Sequence, residues 1–317
     1  MSKPTEKVFK AMEEYIASLG NPPQSVEELQ KILEEFQEKY NSEVLEREPV
    51  TEENAETADD YLELADKAKT KKKALQYVTK ACELDANNID AQSQYIDLTV
   101  KNGVEAAERY KKLLVKAEEQ LKTAGIWTKN TVGDFWGIIE TRPYMRVYLS
   151  YMEVLKTDCR LTQAADACKE ILKLNTNDNL GIRYELMHIY AVTEDVKGAE
   201  RLFKKYRSET STQFLMPFSL IYYKVGNEKK AEEFLKKAAE YNSDLAKFFR
   251  IFGTAEFRMQ MAESMSVSYY SPGTMSEIFA AINGNDDVYL NTPTFFEWGK
   301  KLLKDRRGRK AKNSDTK

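Results

Sequence analysis

The feature that most constrains this 317-residue chain is a triplet of apolar positions that returns along it, each led by an alanine. Ala74, Val78 and Ala81 form the first; Ala106, Tyr110 and Leu113 form the second. Ala164, Cys168 and Ile171 follow, then Ala199, Phe203 and Tyr206, then Ala231, Leu235 and Ala238. The spacing i, i+4, i+7 puts each triplet on one helical face. A leading alanine lets a neighbouring helix come close, and the two larger groups fill the groove beside it. "ELDANN", "KLNTND" and "EYNSD" end successive second helices and offer Asn or Asp for the turn and the next N-cap. Gly226 in "VGNEKKA" stands between two helices, where a positive φ suits glycine.

The leading alanines are 32, 58, 35 and 32 residues apart. Three of these steps lie near the period of about 34 residues that marks tetratricopeptide repeats, in which each unit is a helix–turn–helix pair. The expected fold is therefore all-α, a tetratricopeptide-like helical-repeat superhelix of about five pairs. Composition agrees: 13 Gly and 8 Pro are too few to turn the many strands of a sandwich or barrel.

The long step holds about 24 residues beyond one period, and they include the Trp- and Gly-rich stretch "GIWTKNTVGDFWGIIETRPYMR". The expected organisation has five parts. Residues 1–46 form a helical hairpin, broken at Gly20 and restarted by a Ser25–Glu28 capping box, that caps the N-terminal end of the array. Residues 47–56 are an acidic linker, and 57–252 are the repeat array with an insertion at about 114–140. Residues 253–305 are irregular helices, with a capping box at Thr274 and Glu277, a stop at Asn283–Gly284 and a restart at Pro293. Residues 306–317 form a basic, disordered tail.

Several chemistries are excluded or disfavoured. A single histidine, His188, rules out His-pair metal sites, and it is read as a packed helical residue. No GxxxxGK[ST], GxGxxG or GxSxG string occurs, and no cofactor or metal is implied. Cys82, Cys159 and Cys168 are read as small buried hydrophobes in a reducing compartment. No secretion signal is expected in residues 1–19, and the longest apolar run, residues 214–223, is half of the roughly 20 residues a bilayer needs. The expectation is a cytoplasmic protein without membrane association. A formal charge of −3 creates no global field for nucleic acid, although the tail "KDRRGRKAK" offers a phosphate-binding alternative.

"DFWGIIETRPYMR" (134–146), "LKLNTNDNLGIRYEL" (172–186) and "KKALQYVTKACELDANNIDA" (72–91) resemble bacterial tetratricopeptide proteins related to the suppressor-of-tumorigenicity-seven family. Members carry FWG…ETRPYMR followed by LNPNDN-x-G-x-R at the same separation. The resemblance spans about residues 57–242, and more faintly "SPGTMSEIFAAI…PTFFEW". Thr176 stands where the family has proline, and the Pro-containing continuation after "YNSD" is replaced. The resemblance implies a helical-repeat scaffold without established enzymatic chemistry.

Candidate partner-binding residues come from the two central motifs. Arg142 and Arg146 share a face at i, i+4, where they can stack on Trp136 or grip a carboxylate bidentately. Glu140 and Thr141 sit at the start of the following helix, with Tyr144 on it. The structural reading is an internal bracket with Trp136 and Tyr144 buried and an arginine paired to Glu140. In the second motif, Asn177, Asp178 or Asn179 caps a helix near Leu180, and an Asp178–Arg183 contact would pin the turn. The functional reading combines Arg142, Arg146, Asn179 and Arg183 in one concave groove, with Asn177 beside them, for an extended peptide or its carboxylate. The leading function is a non-enzymatic scaffold for a protein or peptide partner. The alternatives are a small-ligand or peptide sensor and an RNA-binding accessory protein.

Overall fold

The computed structural model describes residues 3–21, 23–46, 49–264 and 269–314. Among these the chain is helical, without a strand, and it divides into two compact units. The first comprises Met1–Cys159 with Lys173–Asn177, and the second Arg160–Leu172 with Asp178–Lys317.

The first unit opens with α1 (Lys3–Ser18) and α2 (Val26–Glu46). Helix pairs α3 (Ala58–Asp66) with α4 (Lys71–Leu84) and α5 (Ile89–Thr99) with α6 (Gly103–Thr123) follow, and then α7 (Arg142–Thr157). Short polar residues set the starts. Thr57 and Asp60 form a reciprocal capping box on α3, and Thr70, Asn88 and Asn102 cap α4, α5 and α6. The loops between paired helices are therefore only a few residues long, which makes the partners antiparallel neighbours. The repeat triplets supply the packing: Val78 and Ala81 are fully buried in one cluster with Ala58, Leu62, Ala65 and Ala91. Tyr110 and Leu113 are buried on α6. Burying one such large side chain contributes about 1.5–3 kcal/mol, so each repeat is stabilised mainly by this stripe.

The second unit begins with α8 (Leu161–Leu174) and contains the pairs α9 (Ile182–Thr193) with α10 (Val196–Lys205) and α11 (Thr212–Lys224) with α12 (Glu228–Tyr241). Ala164, Cys168 and Ile171 on α8, Ala199 on α10, and Ala231, Leu235 and Ala238 on α12 are all buried. From Thr212 to Tyr222 every residue of α11 is buried, polar Gln213 and Ser219 included, so this helix is central to its unit. Then come α13 (Leu245–Ile251), α14 (Ala255–Ser264), α15 (Met275–Ile282), α16 (Asp286–Leu290) and α17 (Pro293–Ser314). Phe248, Phe249, Phe295 and Phe296 meet one another there, at centroid distances of 5.1 to 6.1 Å along the chain of contacts.

Four details differ from the sequence reading. Helix α17 continues through Ser314, where a disordered tail is expected from residue 306; Lys, Arg and Ala propagate a helix already nucleated by its packed first half. Residues 315–317 lie outside the described residues, as do 47–48 of the expected linker and 265–268 of the segment "SMSVSYYSPGTM". Thr274 makes no capping bond; Glu277, fully buried, instead accepts from the backbone nitrogens of Thr212 (2.7 Å) and Gly273 (2.6 Å), tying α15 to the start of α11. Cys82 is half-buried and Cys159 exposed, where burial is expected; Cys159 follows the end of α7 in the left-handed region at φ 55°. The fourth concerns α1, whose place is described below.

Candidate functional site

The inserted segment is built around two tight turns. Gly125 leaves α6 at φ +70°, and Ile126 and Trp127 both donate to the Leu121 carbonyl. At Gly137 the Asp134 carboxylate packs close, 2.5 Å from where a Cβ would lie, so any larger residue would make that side chain move. Between these turns the backbone pairs with the second motif. Gly133 and Phe135 donate to the Leu174 carbonyl at 3.1 and 2.9 Å, and Thr176 donates back to Gly133 at 2.7 Å. The first motif is thus joined by main-chain hydrogen bonds to residues 174–176 of the second, inside the first unit. Phe135, buried here, meets Trp127 edge-on at 4.8 Å and Tyr144 at 6.2 Å.

On this base the arginines are fixed. Arg142 Nε donates to the Trp136 carbonyl at 2.9 Å, and its guanidinium lies 5.6 Å from the Trp136 ring centroid. Arg146 grips Asp90 of α5 side-on, Nε to Oδ1 at 2.8 Å and Nη2 to Oδ2 at 2.6 Å. Its remaining nitrogen, Nη1, donates to both oxygens of Glu6 on α1, at 2.7 and 2.9 Å. Arg142 Nη1 is 3.6 Å from the same Glu6. Burial works against the Arg146 charge, but Asp90 and Glu6 outweigh it and hold its pKa above the ordinary value.

The acids on the arginines are Glu6 and Asp90, whereas Glu140 is exposed in the turn Ile139–Thr141. Thr141, at the start of α7, makes no side-chain cap; its hydroxyl donates to the carbonyls of Phe135 and Ile138. Tyr144 is buried against Trp127 and Phe135, so it supports the site and does not line it. Trp136 is half-buried under Arg142.

The place of α1 is the feature that the sequence does not reveal. Besides Glu6 on Arg146 of α7, Lys7 pairs with Glu63 of α3 at 2.6 Å. α1 therefore reaches α3 through Lys7 and α7 through Glu6, and does not simply cap the end of the array. Two arginines on one face signal that carboxylates must meet them; nothing in local spacing names Glu6, 140 positions away, as one of them.

In the second unit, Asp178 sits at φ 50° and accepts from the backbone of Ile182 (2.7 Å) and Arg183 (3.1 Å). Arg183 Nη1 donates to Asp178 at 2.8 Å, Nε to Glu209 at 2.9 Å, and Nη2 to the Tyr184 hydroxyl at 2.6 Å. Burial pushes the Tyr184 hydroxyl up to about 12. Asn177, in the first unit, and Asn179, in the second, are both exposed. His188 is buried, its Nδ1 on the Tyr184 carbonyl and its Nε2 on the Tyr289 hydroxyl, both at 2.8 Å. The sequence-predicted residues thus fall into two sets. Trp136, Arg142, Tyr144 and Arg146 come together in the first unit, and Arg183 joins Asp178 and Glu209 in the second.

No helix among the described residues is long and apolar enough to cross a membrane. No protein-family model and no curated protein sequence matches the chain. Among solved structures, the crystal structure of MamA protein is similar at 17% identity and a TM-score of 0.41, covering 62% of this chain and 96% of that one. YrrB, described as a TPR protein with an unusual peptide-binding site, is similar at 19% identity and a TM-score of 0.37, covering 67% and 95%.

Proposed function

We propose that this chain is a helical-repeat scaffold that binds a protein or peptide partner, and that Arg146 with Arg142 over Trp136 receives a carboxylate of that partner. The observation that carries this reading is the division of labour on one guanidinium. Asp90 fixes Nε and Nη2 of Arg146, while Nη1 takes both oxygens of a carboxylate that arrives on a separate helix. A guanidinium held in plane by one acid is pre-organised for a second, and pre-organisation lowers the cost of binding. Exposed Asn177 and Asn179 offer amides to a peptide backbone in their own units. Arg183 orders the turn that carries Asn179. Kinship with the suppressor-of-tumorigenicity-seven family remains part of this proposal, supported by the main-chain pairing of its two motif segments.

The test is affinity capture from cell extract with the wild-type chain and with Arg146→Lys, which keeps the charge and loses the fork. Capture of a discrete partner that falls at least tenfold in the variant, with an unchanged circular-dichroism spectrum, is expected. Equal capture by both chains would sink the reading.

A further inference from the structure

The helix already seated on Arg146 describes the partner. Among the described side chains of α1, Glu6 is the one that is buried, at 7% exposure; Val8, Phe9, Met12, Tyr15 and Ile16 are only half-buried. An apolar contact within the hairpin, Tyr15 with Phe36 at 5.7 Å, joins α1 to α2. The side-chain pairs that join α1 to α3 and α7 are ionic: Lys7 to Glu63 and Glu6 to Arg146. A contact of this kind is reversible, because both charges regain water when the helix leaves.

With Glu6 gone, Arg142 and Arg146 lose the carboxylate they share, and Asp90 keeps Arg146 in its fork geometry. Glu6 also lies in the first turn of α1, where the helix dipole favours a carboxylate, with a cation next to it in sequence. The seat is thus complementary to a helix that presents an acid in its first turn.

We infer that the partner docks as a helix in place of α1, with a first-turn carboxylate taking the position of Glu6, and that α1 is the site's occupant in cis. This rests on the reading that Arg146 receives a partner carboxylate. A tethered helix competes at a high effective concentration, so the free seat of the intact chain is rare until α1 is displaced.

The probe is a labelled synthetic peptide of residues 3–20, titrated by fluorescence anisotropy into full-length chains. Expected is at least tenfold tighter binding to the Glu6→Gln chain than to wild type. A peptide carrying the same Glu6→Gln change should lose at least tenfold, and so should the Glu6→Gln chain when Arg146→Lys is added. Equal affinity of the peptide for wild-type and Glu6→Gln chains, or indifference to the peptide's own Glu6, would overturn the inference. The extract experiment separates it from the parent reading. If Arg146→Lys abolishes capture but Glu6→Gln leaves capture at the wild-type level, Arg146 binds the partner and occupancy by α1 in cis is wrong. If the peptide behaves as expected while capture ignores Arg146→Lys, α1 docks as inferred and the partner reading is wrong.

Discussion

Arg146 and Glu6, 140 positions apart, are joined through one nitrogen, with Nη1 donating to both carboxylate oxygens at 2.7 and 2.9 Å. The same guanidinium holds Asp90 through its other two nitrogens. If Glu6 were trapped in the interior, removing Arg146 would strand it and cost about 3–5 kcal/mol. A helix docked by its charges can instead release Glu6 to water. Arg146→Ala is therefore expected to cost only about 1–2 kcal/mol in urea unfolding, mostly from Asp90, with Glu140→Ala within about 0.5 kcal/mol of wild type.

Acid should weaken the second unit through Glu209. Burial alone would raise its pKa, but hydrogen bonds from Ser211, Arg183 and Tyr184 outweigh burial and hold the carboxyl below its ordinary 4.5. Because the folded value is the lower one, this stabilisation is complete above 4.5 and is lost as the pH falls through the depressed value. Glu277 has the opposite sign: burial raises it above 4.5, so its contribution is greatest at low pH and is lost as the pH rises through the raised value. Urea midpoints between pH 5 and 3 should fall more steeply for wild type than for Glu209→Gln; parallel curves would contradict the assignment.

Gly299 reports on how α17 is seated. A Cβ there would lie 2.3 Å from Cε1 of Phe249 and 3.0 Å from Cδ2 of Leu235. Gly to Ala inside an exposed helix gains about 1 kcal/mol from propensity. Here the ring of a buried phenylalanine must move, so Gly299→Ala is expected to lose about 1–3 kcal/mol. A stabilised variant would show that α17 does not rest against α12 and α13 as described.

His188 and Tyr289 make a similar test inside the second unit. Nδ1 faces a carbonyl and must carry the proton, so Nε2 of the neutral ring accepts from the Tyr289 hydroxyl. Tyr289→Phe leaves that acceptor buried without its donor and should cost about 1–3 kcal/mol. A loss under about 0.5 kcal/mol would mean that the contact contributes nothing beyond packing.

Much of the fold was legible because its cause is local. The spacing of Ala231, Leu235 and Ala238 puts all three on one face whatever else the chain does, and all three are buried. Asp178 and Arg183 are close enough in sequence that their pinned turn could be written down beforehand. The carboxylates of the first site were not legible. Glu140 lies beside the arginines in sequence and faces solvent, whereas Glu6 and Asp90 reach Arg146 from other helices. Adjacency along the chain predicts pairing only within a turn or two of helix; beyond that, the stacking of pairs decides. Glu277 failed for the same reason, since a first-turn glutamate reads as a cap until α11 arrives with bare backbone nitrogens.

On this proposal α1 sits against α3 and α7 as a displaceable occupant held by its carboxylate. Amide hydrogen exchange of the full-length Glu6→Gln chain tests this most directly. The account predicts that amides of residues 3–18 lose at least tenfold in protection while those of α5 and α7 keep wild-type rates. Loss of protection in α5 and α7 together with α1 would contradict it, because the hairpin would then be an integral part of the first unit's core.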